Sequence, residues 1–190
     1  HLGEFSLLAR RFFPEAAFHL FEPQPASAAP LRALCAAHGF VLHECALAEV
    51  EGTVRFREAP APDTGAHVMP RDGLDIVQVQ ACRLDAVIGG DAGWPGGALL
   101  KLDLQGYELH ALRGAAELLG RTEVILTEVS FYSQVNAPRI AVLSAFLDAC
   151  GFDLYDIAAM SARPRDNRPR QGDFIFVRKD SPLLHDTLWE

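Results

Sequence analysis

The stretch LLKLDLQGYELHALRGAAELL, residues 99–119, decides the fold of this chain. It opens with an apolar run typical of a buried strand and then changes to the spacing of a helix, which Gly120 ends. The apolar face of that helix consists of Leu109, Leu112, Ala116 and Leu119. Asp103 stands where the strand ends, although aspartate is a poor strand residue and its charge is costly to bury unpaired. Asp103 is therefore a cap at the strand–helix junction or part of a functional site.

Strands and helices alternate on both sides of this stretch. Four apolar segments are typical of strands in a parallel sheet covered on both faces, residues 16–22, 40–47, 98–104 and 122–130. Two further strands, 152–160 and 173–179, are joined by a polar loop without a helix, so they are expected to pair antiparallel. We predict an α/β fold with a mostly parallel sheet and a C-terminal antiparallel hairpin, in a single domain over residues 1–190.

The segment between the second and third of these strands is less regular. The alternation in TVRFRE, residues 53–58, predicts a partly exposed strand, and residues 76–84 alternate in the same way. Residues 59–74 are rich in Pro and Gly, which predicts a long loop, and such loops are usually functional or disordered. His67 in this loop is either a substrate contact or, as is more usual, a solvated side chain.

Composition and charge restrict the class of protein. With 190 residues, a hydrophobic fraction of 49% and a charged fraction of 22%, the chain is an ordinary globular one. The net charge of −8 argues against partners rich in phosphate, namely nucleic acid and an anionic membrane surface. No phosphate-binding P-loop, zinc-protease helix or serine-hydrolase elbow is present in the sequence.

Three of the four cysteines lie in apolar runs, where buried free thiols are common. Cys35, Cys45, Cys82 and Cys150 form no C-x-x-C pair and have no zinc-ligand spacing. Because no signal peptide and no apolar run of transmembrane length is visible either, we expect a cytoplasmic protein.

Several motifs in order resemble one enzyme family. HLGEFSLLARRFFPEAAFHLFEPQP, HECALAEVEG and LLKLDLQGYELHALRGAAELL…VILTEVS together resemble the FkbM family of S-adenosylmethionine-dependent methyltransferases. That family carries D-V-G-A-N-x-G, then F-E-P-N-P, then K-I-D-V-E-G-x-E-x-x-x-L-x-G, then a strand that ends in Glu. The resemblance spans residue 1 to about residue 130. It implies a Rossmann-like class I methyltransferase sheet whose first strand precedes His1 and so is missing from this sequence.

The chain departs from the family pattern at three positions. The glycine motif is cut to His1, Leu2 and Gly3, with His1 where the family usually has Asn, and Gln24 replaces the Asn of F-E-P-N-P. Gln105 replaces the Glu of the D-x-E-G motif, which removes one charge from the site.

The resemblance implies that S-adenosylmethionine is the cofactor and assigns its binding residues. Glu22 ends the second strand of the family order, where a carboxylate accepts hydrogen bonds from a ribose diol; the alternative is a solvated loop acid. Gly3 would allow close approach of the backbone to the ligand. Ala46 and Leu47 would line the adenine, and ordinary core packing explains them equally well. The full set is His1, Gly3, Glu22, Pro23, Ala46 and Leu47.

Three acids are the candidate catalytic residues, Asp103, Glu108 and Glu128. Asp103 and Glu128 both end parallel strands, at the edge where open α/β sheets bind ligands, so they could face each other across a cleft. Glu108 lies in a first helical turn, where the helix dipole favours an acid regardless of function. Three carboxylates could hold a hard cation, but Gln105 argues against that, and no metal is predicted.

The resemblance implies methyl transfer to a hydroxyl oxygen on a sugar or another small metabolite. Asp103 would orient or deprotonate that hydroxyl. Two alternatives remain: an NAD-dependent oxidoreductase, which Glu22 would serve equally well, and a non-catalytic relative that binds a ligand or partner. Four arginines near the C-terminus are interpreted mainly as a soluble hairpin tip, with contact to an anionic substrate as the alternative: Arg163, Arg165, Arg168 and Arg170.

Overall fold

The computed structural model describes residues 2–59, 65–69, 76–88, 97–132 and 137–186. Within these ranges the chain forms α-helices over α1 (Glu4–Phe12), α2 (Pro25–His38), α3 (Leu84–Val87), α4 (Glu108–Arg113), α5 (Ala116–Leu119) and α6 (Ile140–Ala149). The strands are β1 (His19–Phe21), β2 (Val41–His43), β3 (Ala46–Leu47), β4 (Gly52–Arg57), β5 (His67–Val68), β6 (Ile76–Cys82), β7 (Ala98–Leu102), β8 (Thr122–Ser130), β9 (Phe152–Ala162) and β10 (Pro169–Arg178). A short 3-10 helix follows at Pro182–Leu184.

The largest sheet has the strand order β7–β8–β10–β9. The first two strands are parallel, and β10 runs antiparallel to both β8 and β9. The predicted antiparallel orientation of residues 173–179 is therefore confirmed. The reason is topological, since β9 and β10 are joined by a short turn, and two neighbouring strands joined in that way must run in opposite directions.

The prediction that the four parallel strands form one sheet is wrong for the described residues. β1 and β2 pair parallel in a separate two-stranded sheet, and β3, β6, β4 and β5 form a third sheet. The predicted strand 40–47 is split after His43, because Ala46 and Leu47 pair with Ala81 and Cys82 of β6. The resemblance places a further, central strand before His1, and that strand stays a prediction.

The predicted loop over residues 59–74 is partly a strand. His67 and Val68 pair antiparallel with Arg57 and Phe56 of β4 and so extend the sheet that β4 and β6 form. The ring Nδ1 of His67 lies 2.6 Å from the backbone oxygen of Gly65. Residues 60–64 and 70–75 lie outside the described residues.

The main core lies on one face of the largest sheet. Leu102, Ile125 and Phe174 face helices α4 to α6 there, and Phe21 at the end of β1 packs against the same cluster. A smaller core of Ala46, Phe56, Val68 and Val79 holds the third sheet together. Burial of such side chains contributes about 1.5–3 kcal/mol each, so these two clusters account for how the sheets stay in place.

The predicted helix after Asp103 is broken into two. α4 ends at Arg113 and α5 begins at Ala116, with Gly114 between them. The backbone of Gly114 passes so close to another segment that an added Cβ would lie 2.2 Å from the carbonyl oxygen of Ala48. The buried carboxylate of Asp85 accepts hydrogen bonds from two N–H groups of α5 and thereby caps it.

Gly114→Ala should destabilise the protein by about 2 kcal/mol or more, because the methyl group must displace backbone rather than a flexible side chain. Gly120→Ala is the matched control, since its nearest contact would be 3.2 Å from the carbonyl oxygen of Glu117. Urea unfolding of both variants measures the difference. Equal stability of the two variants would contradict the close approach at Gly114.

Two of the four cysteines are not free. Cys45, just before β3, and Cys82, at the end of β6, form a disulfide, whereas Cys35 and Cys150 are free. The expectation of free thiols is therefore wrong for this pair, because the pairing of β3 with β6 brings two distant cysteines together. The cysteine pattern no longer favours a reducing compartment, and cytoplasmic location stays a prediction. No helix in the described ranges is long and apolar enough to cross a membrane.

Candidate active site

Acidic residues from three adjacent strands lie side by side on one face of the largest sheet. Leu102, Thr127 and Phe174 are register partners and are almost fully buried on the core face. Side chains alternate between faces along a strand, so the neighbouring residues point to the opposite face. We call these three residues the acidic row: Asp103, Glu128 and Asp173.

Glu128 is the central member of the acidic row. Its carboxylate is half-buried and accepts a hydrogen bond from the side-chain amide of Gln171 on β10. Burial, and then the negative charges of Asp103, Glu108 and Asp173, raise the pKa of Glu128 to about 7, and Lys101 acts in the opposite direction. A carboxylate with a pKa near neutrality is suited to accept a proton from a substrate.

Asp103 follows β7 directly and is half-exposed. The side-chain amide of Gln105 donates a hydrogen bond of 3.0 Å to its Oδ1, and Lys101 Nζ lies 3.5 Å from its Oδ2. Gln105 has a φ of 52°, a left-handed conformation that turns the chain sharply after the strand. A glutamate at this position would offer no donor and would repel Asp103. The substitution therefore replaces a repulsive neighbour with a supporting one.

Glu108 is the most buried of the three predicted catalytic acids, with 3% of its surface exposed. Its Oε1 accepts hydrogen bonds from the backbone N–H of Leu104 at 2.7 Å and of Gly106 at 3.2 Å. Burial raises its pKa, and these hydrogen bonds act in the opposite direction. Such contacts hold the turn that carries Asp103, so Glu108 has a structural role whatever its part in catalysis.

Glu108→Ala should lower the free energy of unfolding by about 2 kcal/mol or more, because it leaves the buried N–H of Gly106 and the partly buried N–H of Leu104 without their acceptor. Glu108→Gln retains an acceptor oxygen and should cost less. Thermal and urea unfolding check this order. A Glu108→Ala variant with the stability of the unmodified protein would show that the turn does not depend on this carboxylate.

Glu22 lies at the carboxyl end of β1, as predicted, and is buried, with 8% of its surface exposed. Its Oε1 accepts a hydrogen bond of 2.8 Å from the backbone N–H of Gln24, which fixes the carboxylate at the strand end. The amide of Gln24 in turn bonds both the N–H and the carbonyl of Ala59 and donates to Ser27 at the start of α2. The residue that replaces the family Asn therefore anchors the turn after Glu22.

The other predicted cofactor residues are placed as follows. Gly3 precedes α1 with a φ of 85°, and an added Cβ would contact Leu31 and Leu34 of α2 at 3.1–3.3 Å. Ala46 and Leu47 pack into the two cores, as the core-packing alternative requires; their contact with adenine stays a prediction. Pro23 is partly buried between Glu22 and Gln24, and His1 lies outside the described residues.

Sequence reasoning brought Asp103 and Glu128 to one edge but missed Asp173 and Gln171. Their place beside Glu128 follows from the register of β10 against β8, and hydrophobic alternation does not specify which residues of two strands lie opposite each other. A signal was present in the polar residues Gln171 and Asp173 at alternate positions before the apolar run of β10. Within the described parts of the chain, no group of three or more His, Cys, Asp or Glu side chains is arranged to hold a metal ion.

Comparison with known proteins gives one result. A family model described as "Methyltransferase FkbM domain" matches residues 3–154, which include β1 to β8 and two members of the acidic row. No curated protein and no solved structure matches the chain.

Proposed function

Because this chain belongs to the FkbM methyltransferase family, we propose that it uses S-adenosylmethionine to methylate a hydroxyl oxygen of a sugar or another small metabolite. The observation that carries the proposal is Glu128, a carboxylate whose pKa is raised to about 7 within a row of acids. An alcohol must lose its proton when its oxygen is methylated, and a carboxylate of this pKa is ionised for a useful fraction of the time at neutral pH.

Two residues of the acidic row, Glu128 and Asp103, have different roles in this reaction. Glu128 accepts the hydroxyl proton as the acceptor oxygen forms its bond to the methyl carbon. Asp103, held by the amide of Gln105, accepts a hydrogen bond from a neighbouring hydroxyl of the acceptor and so positions the hydroxyl that reacts. The main requirement is correct alignment of the hydroxyl oxygen with the methyl carbon, since the sulfonium of S-adenosylmethionine would already activate the methyl group. S-adenosylhomocysteine would be the leaving group.

Glu22 fits the requirements of a nucleoside ligand. It is a carboxylate at the carboxyl end of a parallel strand, its position is fixed by Gln24, and Pro23 stops the strand from continuing. A ribose offers two hydroxyl donors, and a carboxylate there is the acceptor used in nucleotide-binding α/β sheets. Gly3, at the start of α1, has a φ of 85°, a conformation that favours glycine, and its backbone would approach the ligand.

The two alternative functions are a hydride-transferring oxidoreductase and a non-catalytic binding protein. The family match favours methyl transfer over the hydride transfer of an NAD-dependent oxidoreductase. The non-catalytic alternative rests on Gln105 and on the cut glycine motif. Gln105 supports Asp103 with a hydrogen bond, so this substitution leaves both carboxylates of the proposed chemistry in place, and the glycine motif leaves the alternative open.

Calorimetric titration of S-adenosylhomocysteine and of NADH into the protein tests the cofactor directly. We expect saturable binding of S-adenosylhomocysteine and no binding of NADH. Binding of NADH alone would contradict the proposal, and the protein would then have to be reassigned to hydride transfer.

A further inference from the structure

We propose that the arginine-rich tip of the β9–β10 hairpin binds an anionic group, phosphate or carboxylate, on the methyl acceptor. This inference rests on the proposed function and names the class of its acceptor. The tip, residues 163–170 with the sequence RPRDNRPR, contains four arginines against a single acid, Asp166. The chain as a whole has a net charge of −8, so this concentration of positive charge is exceptional within it.

The arginine-rich tip lies at the end of the sheet where β8 terminates and on the side of the acidic row. The ladder between β8 and β10 continues past Ser130, where the N–H of Phe131 bonds the carbonyl of Arg170. Phe131 packs against Phe174 on the core face. Its neighbour Tyr132 therefore points to the opposite face, the face that carries Glu128.

The ring of Tyr132 contacts two of the arginines of the tip. The guanidinium of Arg168 lies 5.0 Å from the centre of the Tyr132 ring, and that of Arg163 lies 5.8 Å from it. Cation–π contacts of this kind hold a guanidinium plane in place while its N–H donors stay accessible. The ring thus orients the arginines beside the face where the acceptor would lie.

Among the described residues, a single acid is paired with Arg163 and Arg165 and bonds the backbone of Arg168. Asp166 forms an ion pair with Arg163 through two hydrogen bonds. Its carboxylate also lies 3.7 Å from the Nε of Arg165 and accepts a hydrogen bond from the backbone N–H of Arg168. One carboxylate is thus shared by several donors, and the side chain of Arg165 is 76% exposed. Among the described residues, Arg168 has no carboxylate within 4.0 Å of its guanidinium. Arginine forks match phosphate and carboxylate oxygens, and among the described residues the single carboxylate of Asp166 does not saturate the forks of Arg165 and Arg168.

The distance from the acidic row defines the acceptor further. Tyr132 is four residues beyond Glu128, which is roughly 13 Å at the rise of a strand. That separation exceeds the screening length of about 8 Å at physiological ionic strength, so the acidic row does not cancel the attraction of the tip. The anionic group of the acceptor would therefore lie apart from the hydroxyl that is methylated, towards the end of the sheet where β8 terminates.

The test titrates pyrophosphate and, separately, citrate into the protein at fixed ionic strength, with NMR detection of the arginine side-chain N–H groups. We expect at least one of the two anions to shift the signals of Arg165 and Arg168. The anion that binds more tightly identifies the group as phosphate or carboxylate. The double variant Arg165→Gln/Arg168→Gln should weaken that anion at least about tenfold, which corresponds to 1.4 kcal/mol. Arg32→Gln is the matched control, because Arg32 is also exposed and ion-paired but lies on α2, and it should leave the affinity unchanged.

Binding of S-adenosylhomocysteine to the same variants separates the two proposals. The double variant should bind it as the unmodified protein does. Anion affinity that is absent, that persists in the double variant, or that falls equally in Arg32→Gln would overturn the arginine-rich tip as a binding site while leaving the proposed methyl transfer intact. If the unmodified protein does not bind S-adenosylhomocysteine, the proposed function is overturned instead.

Discussion

Glu128→Gln should reduce kcat for methyl transfer by about 10²- to 10⁴-fold, the usual contribution of a general base, with little change in the affinity for S-adenosylhomocysteine. The amide keeps the shape of the side chain but cannot take the hydroxyl proton. In the unmodified protein the rate should rise with pH and level off above about 7, because the base acts in its ionised form and its pKa is raised to that value. The variant should lack this inflection.

Glu123→Gln is the matched control for that experiment. Glu123 lies on the same strand at its opposite end and bonds the hydroxyl of Ser181, which a glutamine can also do. It should leave both kcat and the pH profile unchanged. A carbon-13 titration of the carboxyl groups gives a readout independent of turnover. A Glu128 carboxyl that titrates near its ordinary value, or a Glu128→Gln variant with full activity, would remove this residue from the mechanism.

Glu22→Ala should weaken the binding of S-adenosylhomocysteine at least about tenfold. Hydrogen bonds to a charged acceptor contribute about 1.5–3 kcal/mol each, and 1.4 kcal/mol corresponds to one decade of affinity. Glu22→Gln keeps one acceptor oxygen and should have a smaller effect. Isothermal titration calorimetry measures all three proteins.

Glu44→Ala controls for the removal of a nearby acid. Glu44 follows β2 and pairs with Arg32 on the surface, where salt bridges contribute little to stability. This variant should bind S-adenosylhomocysteine as the unmodified protein does. If Glu22→Ala behaves in the same way, Glu22 is only an acid of the turn after β1.

The local order of the fold was accessible from the sequence because it depends on near neighbours. The change from an apolar run to helical spacing around Asp103 predicted β7 and the start of α4, and the absence of a helix between β9 and β10 predicted their antiparallel pairing. The break of the next helix was not accessible. It occurs at Gly114, where the backbone passes close to the carbonyl of Ala48, a residue distant in sequence.

Long-range register also explains the other differences. The strand over residues 40–47 divides because its second part pairs with β6, and the same pairing brings Cys45 to Cys82. For the site, the ends of parallel strands predicted Asp103 and Glu128, since such ends share one edge of a sheet. Asp173 joins them only through the pairing of β10 with β8. The hydrogen bonds that make Glu108 a support of the turn need the folded backbone of Leu104 and Gly106.

The central claim is that the acidic row directs a methyl group to a hydroxyl oxygen. The most direct measurement incubates the protein with S-adenosylmethionine carrying a carbon-13 methyl group and with hydroxylated acceptors that bear an anionic group, and identifies the labelled product by NMR. The account predicts a methyl ether, formed by the unmodified protein and by Glu123→Gln but not detectably by Glu128→Gln. A label attached to nitrogen, carbon or sulfur, or a methyl ether formed equally by Glu128→Gln, would contradict it.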